Sequence, residues 1–470
     1  MFDGRPYAAL AFLDSLRQTC DDQPLYLLIR ARCYQEQVPM DDDDTDYGKE
    51  ISKPALETLD RCIEVCSRRL DDKDPDPINY FYRGWAWMAK AYVRSMVRSL
   101  YTAGREAGRG KKDLERYLEI HPGDPTASGL LGSYLYFADQ IPNAFKFLAK
   151  LLRLPSGDRE LGLELLDAAI QKDSLLETDW RLILYNVYFY FEGRYEDGLA
   201  GLRGMSQRHP GYGRTAIPIA VSRVFAPQFA AEHDSIVTET VNRLYSAPHR
   251  EVDWNALYLI QFFRAYGDRY CSSSSSAEAR LRSIIHEAPR HPDWVEPSAR
   301  LELGKLYASR GDRGAAVEMF EFVKENSSIG RLRDEAETLL DDVEKYADHF
   351  DRPPVADFDP WMSFIAKFYL GETLLLSGEL QDAFVVYSDL IEPEAPSWYE
   401  TYQLIASMRL AEIYAANKHY DSAAKFAGYA MNFYHGEYLV DWIIEGRQRY
   451  FERLANGQES VPPTLLTSNP

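Results

Sequence analysis

Residues 301–323, LELGKLYASRGDRGAAVEMFEFV, decide the fold that this sequence predicts. The stretch predicts two antiparallel helices, because small residues recur where such helices must approach closely and aromatic residues recur where neighbouring pairs meet. One hairpin of this kind cannot bury its apolar face alone, so further copies are expected to stack on it. The first helix would carry Leu303, Gly304 and Tyr307, the turn Gly311, and the second helix Ala316, Phe320 and Val323.

Similar spacings recur along the chain. Residues 179–205, 370–387 and 410–430 carry small and aromatic residues at corresponding positions. A His-Pro pair follows a helix pattern in EIHPGD (119–124), QRHPGY (207–212) and PRHPDW (289–294). Histidine suits the negative end of a helix dipole and proline stops a helix, so these pairs are interpreted as helix endings rather than catalytic groups.

The repeated pattern resembles the tetratricopeptide (TPR) repeat over most of the chain. This resemblance implies an all-α fold, an α-solenoid of stacked antiparallel TPR-like helix hairpins. On this pattern we divide the chain into five parts. Residues 1–50 form an N-terminal helical hairpin and acidic loop, 51–212 TPR-like repeats with an inserted helix, 213–294 divergent helical repeats, 295–456 C-terminal TPR repeats with a capping helix, and 457–470 a disordered tail.

The apolar spacing also predicts local features within these parts. We expect helices at residues 6–20 and 24–37, a charged loop at 39–50 after which a helix resumes at Pro54, a flexible connection at 271–276 and a loop at 351–360.

A narrower resemblance covers residues 128–170, where a helix, an inserted apolar segment and Gly157-Asp158-Arg159 with Gly162-Leu163 follow one another. This order is similar to that of the Iml2/tetratricopeptide-repeat-39 group. It implies a non-enzymatic helical-repeat protein, with a link in some members to lipid droplets and to clearance of protein inclusions. The insert, residues 141–152, has the spacing of an amphipathic helix that packs on its own solenoid or meets a membrane surface or partner.

Charge and composition narrow the classes of function. The chain has 73 acidic and 53 basic residues, a formal net charge of −20, which argues against nucleic acid as a partner. Five cysteines in 470 residues favour reduced thiols over a disulfide framework. No stretch is long and apolar enough for a transmembrane helix, and the N-terminal residues MFDGRPYAALAF lack the basic region and long apolar run of an export signal. We therefore expect a cytoplasmic protein, with an exported form whose signal has been removed as the alternative.

Three short motifs suggest chemistry, and each is incomplete. The acidic run at residues 41–46 lacks the glycine and the final glutamate of a calcium loop. The stretch GREAGRGKK (104–112) has the wrong spacing for a phosphate-binding loop and no Ser or Thr after its lysine. Cys62 and Cys66 share a helical face but have no second pair to complete a zinc site. We predict no catalytic residue, no cofactor and no metal.

The remaining candidate is the concave groove that the TPR resemblance implies, formed by fixed positions of the first helix of each hairpin. Its side chains are mostly apolar with acidic points, which suits an amphipathic or basic helical segment of a partner protein. The alternative is that the protein's own helices fill the groove. The predicted groove residues are Trp180, Ile183, Tyr190, Lys305, Phe368, Glu372, Met408 and Glu412.

Two functions follow as expectations. The first is a non-enzymatic protein–protein interaction scaffold or adaptor. The second, based on the insert, is a helical-repeat protein associated with lipid or another hydrophobic ligand.

Overall fold

The structure, a computed structural model, describes residues 5–38, 46–97, 99–140, 156–171, 176–226, 233–271, 274–288, 292–350, 360–391, 394–433 and 438–459. These ranges contain 22 α-helices, one π-helical turn and several short 3₁₀ turns, and they contain no strand. None of these helices combines the length and apolar character needed to cross a bilayer. The all-α prediction is confirmed.

Eleven of these helices lie in the described part of residues 5–246. They are α1 (Pro6–Cys20), α2 (Pro24–Gln35), α3 (Asp46–Leu70), α4 (Ile78–Met96), α5 (Leu100–Ile120), α6 (Pro125–Asp139), α7 (Arg159–Ile170), α8 (Glu177–Asn186), α9 (Tyr195–Arg208), α10 (Ala216–Phe225) and α11 (His233–Ser246).

Residues 254–455 contain the other eleven. They are α12 (Trp254–Cys271), α13 (Ser274–Glu287), α14 (Val295–Ser309), α15 (Arg313–Asn326), α16 (Gly330–Lys345), α17 (Ala347–Phe350), α18 (Pro360–Leu376), α19 (Leu380–Ile391), α20 (Glu400–Ala416), α21 (Tyr420–Ala430) and α22 (Tyr438–Ala455).

The chain divides into two compact units. The first comprises Met1–Leu184 and Leu244–Asn255, and the second comprises Tyr185–Arg243 and Ala256–Pro470. In the first unit, each helix from α1 to α7 packs on the next, and α4 also contacts α2 and α6. Where the connection is short, as between α1 and α2, between α4 and α5 and between α5 and α6, consecutive helices are expected to be neighbours. The core of α2, α3 and α4 includes Leu27, Leu59 and Ala86.

In the second unit, α13 to α16 pack consecutively, and so do α18 to α22. Helix α20 has 14 buried residues out of 17, so other helices or segments surround it on nearly all sides. Helix α22 packs on the π-helical turn Val187–Phe191. The first and last described segments of this unit are therefore in contact.

Residues 301–323 lie in the hairpin of α14 and α15, as predicted. Gly311 has φ +78°, in the left-handed region that favours glycine. A Cβ on Gly304 would lie 2.4 Å from the ring of Phe320, so only glycine permits this crossing. Tyr307 donates a hydrogen bond to Glu278 Oε1 on α13 at 3.3 Å, which places its ring towards the preceding helix. The prediction of this hairpin is confirmed.

Two local predictions were wrong. A helix was expected to resume at Pro54 after a charged loop ending at residue 50, but α3 begins at Asp46. The buried stripe includes Gly48 and Ser52 before the proline and Ala55 and Leu59 after it, so burial extends across the proline. The serine run 271–276 was expected to be a connection, yet α12 ends at Cys271 and α13 begins at Ser274. Serine is favoured at helix starts, so a serine run does not exclude a helix.

Other predictions lie outside the described residues. These are the inserted segment at 141–152, the acidic run at 41–45, the His-Pro pair at 291–292 in part, the loop at 351–359 and the tail from residue 460. The other two His-Pro pairs follow the ends of α5 and α9, as predicted.

Candidate functional site

The predicted groove residues lie mainly in the interior of their own units. In the first unit, Trp180 is buried against α6, where a Cβ on Gly129 would lie 2.5 Å from the indole ring. Ile183 is half-buried. In the second unit the six remaining side chains are buried: Tyr190, Lys305, Phe368, Glu372, Met408 and Glu412. This burial favours the alternative in which neighbouring helices fill the groove, while partner binding there stays a prediction.

Lys305 belongs to a buried cluster of charges on α14. Its Nζ lies 2.9 Å from Glu302 Oε1 and 2.6 Å from Glu335 Oε1 on α16. Arg269 of α12 donates from Nη1 to Glu302 Oε2 at 2.7 Å and from Nη2 to the carbonyl of Trp398 at 3.2 Å. Two carboxylates therefore balance two cations, and of these four groups Glu335 is the one that is partly exposed.

Burial and charge act in opposite directions on these groups. Burial alone would raise the pKa of Glu302, but Lys305 and Arg269 outweigh it and the pKa lies below its usual value. Burial would lower the pKa of Lys305, but Glu302 and Glu335 raise it overall. Glu302, Lys305 and Arg269 are thus charged at neutral pH and hold one another in place.

Glu372 of α18 takes part in a second buried pair. Arg409 of α20 donates from Nε to Glu372 Oε1 at 2.8 Å, and Tyr387 of α19 donates its hydroxyl to the same oxygen at 2.7 Å. Arg409 Nη2 also donates to the carbonyl of Val224 on α10 at 2.7 Å. One arginine thereby joins three helices.

Glu412 of α20 takes part in a third buried ion pair. Arg447 of α22 donates from Nε to Glu412 Oε1 and from Nη2 to Glu412 Oε2, each at 2.6 Å. Its Nη1 donates to the carbonyl of Gly193 at 2.6 Å, and the Tyr195 ring lies 4.6 Å from the guanidinium. Parallel bonds of this bidentate kind fix both distance and orientation.

We call Arg269, Arg409 and Arg447 the arginine clamps. Each is buried, each pairs with a glutamate of a neighbouring helix, and each also binds the carbonyl of a further segment. Such an arrangement restricts helix sliding, because a shift would leave a buried charge without its partner. Sequence reasoning identified Glu372 and Glu412 but missed the arginines. The available signal was an arginine at an otherwise apolar position of a helix.

Accessible apolar side chains of the second unit include three on the α18–α19 hairpin. Leu370 is 50% exposed, Leu376 69% and Val385 53%. Large apolar residues at this exposure offer contact area to a partner. These exposures were not predicted, because the repeat pattern does not show which helix face stays uncovered.

The glycine-rich stretch 104–112 lies within α5. A Cβ on Gly110 would lie 2.9 Å from the carbonyl oxygen of Gly84 on α4, so this glycine serves a close helix crossing. Cys62 and Cys66 are buried on α3, where Cys62 Sγ donates to the carbonyl of Pro24 at 3.6 Å. Within the described ranges, no group of three or more His, Cys, Asp or Glu side chains has the arrangement needed to hold a metal ion.

Comparison of the chain with known protein families and with curated protein sequences found no match.

Proposed function

We propose that this protein is a non-enzymatic scaffold that holds partner proteins on a TPR-like α-solenoid. The observation that carries the proposal is the set of three arginine clamps. They cross-link α10, α12, α14, α18, α20 and α22 and the segments at Gly193 and Trp398 by buried, charge-assisted bonds.

Rigidity is what a scaffold requires of its framework. A surface that is already ordered loses less conformational entropy when a partner binds, so more of the contact energy appears as affinity. The clamps supply order inside the second unit while leaving its outer side chains free to vary. The hairpin of α14 and α15, with its glycine crossing and its aromatic contacts, supports the repeat architecture in this proposal.

The test has two stages. The purified chain is first used to capture proteins from its native source, beside a heat-unfolded sample of the same chain. A captured protein is then purified and mixed with the chain, and the complex is examined by analytical ultracentrifugation. A scaffold predicts a complex of fixed stoichiometry that contains the partner chemically unchanged.

Two variants locate the contact. Leu370→Asp with Val385→Asp alters the exposed α18–α19 hairpin, and Ile183→Lys alters the most accessible residue of the predicted groove. Loss of the complex with one of these folded variants supports the scaffold function and assigns the surface. Chemical conversion of the captured protein, with no stable complex, would overturn the proposal.

A further inference from the structure

Helix α5 turns two carboxylates inward, whereas its exposed carboxylates, Glu115 and Glu119, pair with Lys111 and Arg116 of the same helix. Its buried acidic residues are turned towards cations of α4: Asp113 accepts two hydrogen bonds of 2.7 Å from Arg83, and Glu106 lies 3.2 Å from Lys90. These carboxylates therefore neutralise α4 and do not offset the cations on the outer side of α5.

Three of the exposed cations on that outer side lie outside these ion pairs. Arg105, Arg109 and Lys112 are exposed, and within the described part of the chain none of them has an ion-pair partner. At about 100° per residue their side chains leave the helix within an arc of about 60°, over a rise of about 10 Å. We call these three residues the α5 basic face.

Aromatic rings hold two of the cations. The Arg109 guanidinium lies 4.8 Å from the centre of the Trp87 ring on α4, and the Arg105 guanidinium lies 5.9 Å from that of Tyr101. Tyr101 is itself 51% exposed. A cation that rests on a ring keeps its charge and its outward hydrogen-bond donors while losing side-chain freedom, so it is ordered before a ligand arrives.

A cationic face is unusual on a chain of net charge −20, and this contrast favours an anionic ligand that is short enough to stay within the face. A nucleic acid or an anionic membrane would extend beyond the face onto the rest of a chain whose net charge is negative, since the face is little longer than the Debye length of about 8 Å. A short acidic peptide would not. In an extended peptide, alternate side chains recur on one side about every 6.6 Å, close to the rise of about 6 Å between Arg105 and Arg109.

We propose that the α5 basic face binds an acidic peptide segment of a partner protein, with carboxylates two residues apart facing Arg105, Arg109 and Lys112. The inference rests on the proposed scaffold function and names one class of partner and its site in the first unit. Arginine is suited to this role because its planar fork binds a carboxylate through two parallel hydrogen bonds.

The test is a fluorescence-anisotropy titration with the full chain. The probe is a fluorescein-labelled, C-terminally amidated peptide Glu-Ser-Glu-Ser-Glu, compared with Lys-Ser-Lys-Ser-Lys, a six-residue oligothymidylate and vesicles containing phosphatidylserine. The face variant is Arg105→Gln/Arg109→Gln/Lys112→Gln. The matched control removes three exposed cations elsewhere in the same unit, as Lys53→Gln/Arg68→Gln/Lys73→Gln.

We expect the acidic peptide to bind the parent and the control equally, and the face variant at least about tenfold more weakly. Binding should weaken between about 50 mM and about 300 mM salt, because exposed charges are screened. Circular dichroism should show both variants folded, since every substituted side chain is exposed.

Equal binding of the acidic peptide by parent and face variant, or no binding by the parent, would overturn the inference. Tighter binding of the oligonucleotide or of the vesicles, lost in the face variant, would overturn it in favour of that other class of partner. The capture experiment tests the scaffold function independently. A partner protein that the face variant still captures supports the scaffold function, even though it does not need the α5 basic face. A failed peptide titration therefore leaves that proposal standing.

Discussion

Replacing Arg447 by methionine should destabilise the second unit strongly. The arginine is buried and makes two hydrogen bonds of 2.6 Å to Glu412 and one of 2.6 Å to the Gly193 carbonyl. Methionine retains much of the apolar volume beside the Tyr195 ring but none of the donors. The carboxylate of Glu412 would then be buried without a counter-charge.

The expected loss in unfolding free energy is about 3–5 kcal/mol, the cost of breaking a buried ion pair by removing one partner. The companion variant Glu412→Gln should cost somewhat less, because the Gly193 carbonyl still accepts from the arginine. Combining both substitutions should cost less than the sum of the two, by about 1–3 kcal/mol of coupling energy.

The measurement is a double-mutant cycle by urea unfolding, with hydrogen exchange of the α20 and α22 amides as a local readout. Hydrogen exchange is included because a chain of two units need not unfold in one step. The control is Arg243→Met, which removes an exposed pair to Glu239 at 2.8 Å and should cost no more than about 0.5 kcal/mol.

Additive costs in the cycle would refute the clamp, and so would a cost for Arg447→Met no larger than that of the control. The same variants also address the predicted groove. If Glu412 serves partners rather than the fold, Glu412→Gln should weaken partner binding and leave the unfolding free energy unchanged.

Three shorter predictions concern packing, pH and thiols. Gly304→Ala should lower the unfolding free energy by about 1–3 kcal/mol in thermal or urea unfolding, because its Cβ would overlap the Phe320 ring. The control Gly204→Ala, where a Cβ would have no atom within 4 Å, should not destabilise the protein. Equal effects of the two substitutions would contradict the helix crossing at Gly304. Burial, with a smaller contribution from a neighbouring glutamate, raises the pKa of Asp441 from 3.8 to about 6, so the unfolded chain loses this proton first and stability should fall as pH rises from about 4 to 6. Asp441→Asn should remove that part of the pH dependence in unfolding titrations. An unchanged dependence of stability on pH would contradict its assignment to Asp441. Cys20 should react with iodoacetamide in the native protein while Cys33, buried and with its pKa raised by burial to about 11, stays protected until unfolding, as peptide mass mapping would show.

Much of the local structure could be predicted because it depends on neighbouring residues. Helix periodicity predicted α1 and α2 within a residue or two of their observed bounds, and the glycine and aromatic spacing predicted the α14–α15 hairpin. Errors arose where burial in the tertiary structure outweighed a local sequence preference. Pro54 usually marks a helix start, yet the buried stripe of α3 continues through it because the apolar core lies beneath both sides.

The sequence by itself determined the helices, the close crossings and the net acidic charge, since each follows from residue identity or short spacing. Only the tertiary structure decided which charges are buried and which face outward. Glu412 and Arg447 are 35 positions apart, and their pairing follows from packing between α20 and α22. Likewise, the sequence shows the cations of α5 but not their exposure: Glu106 and Arg105 are adjacent, and the position of α4 decides that Glu106 is buried and Arg105 exposed. Helical spacing fixes the angle between such side chains, whereas the packing partner fixes which of them meets water.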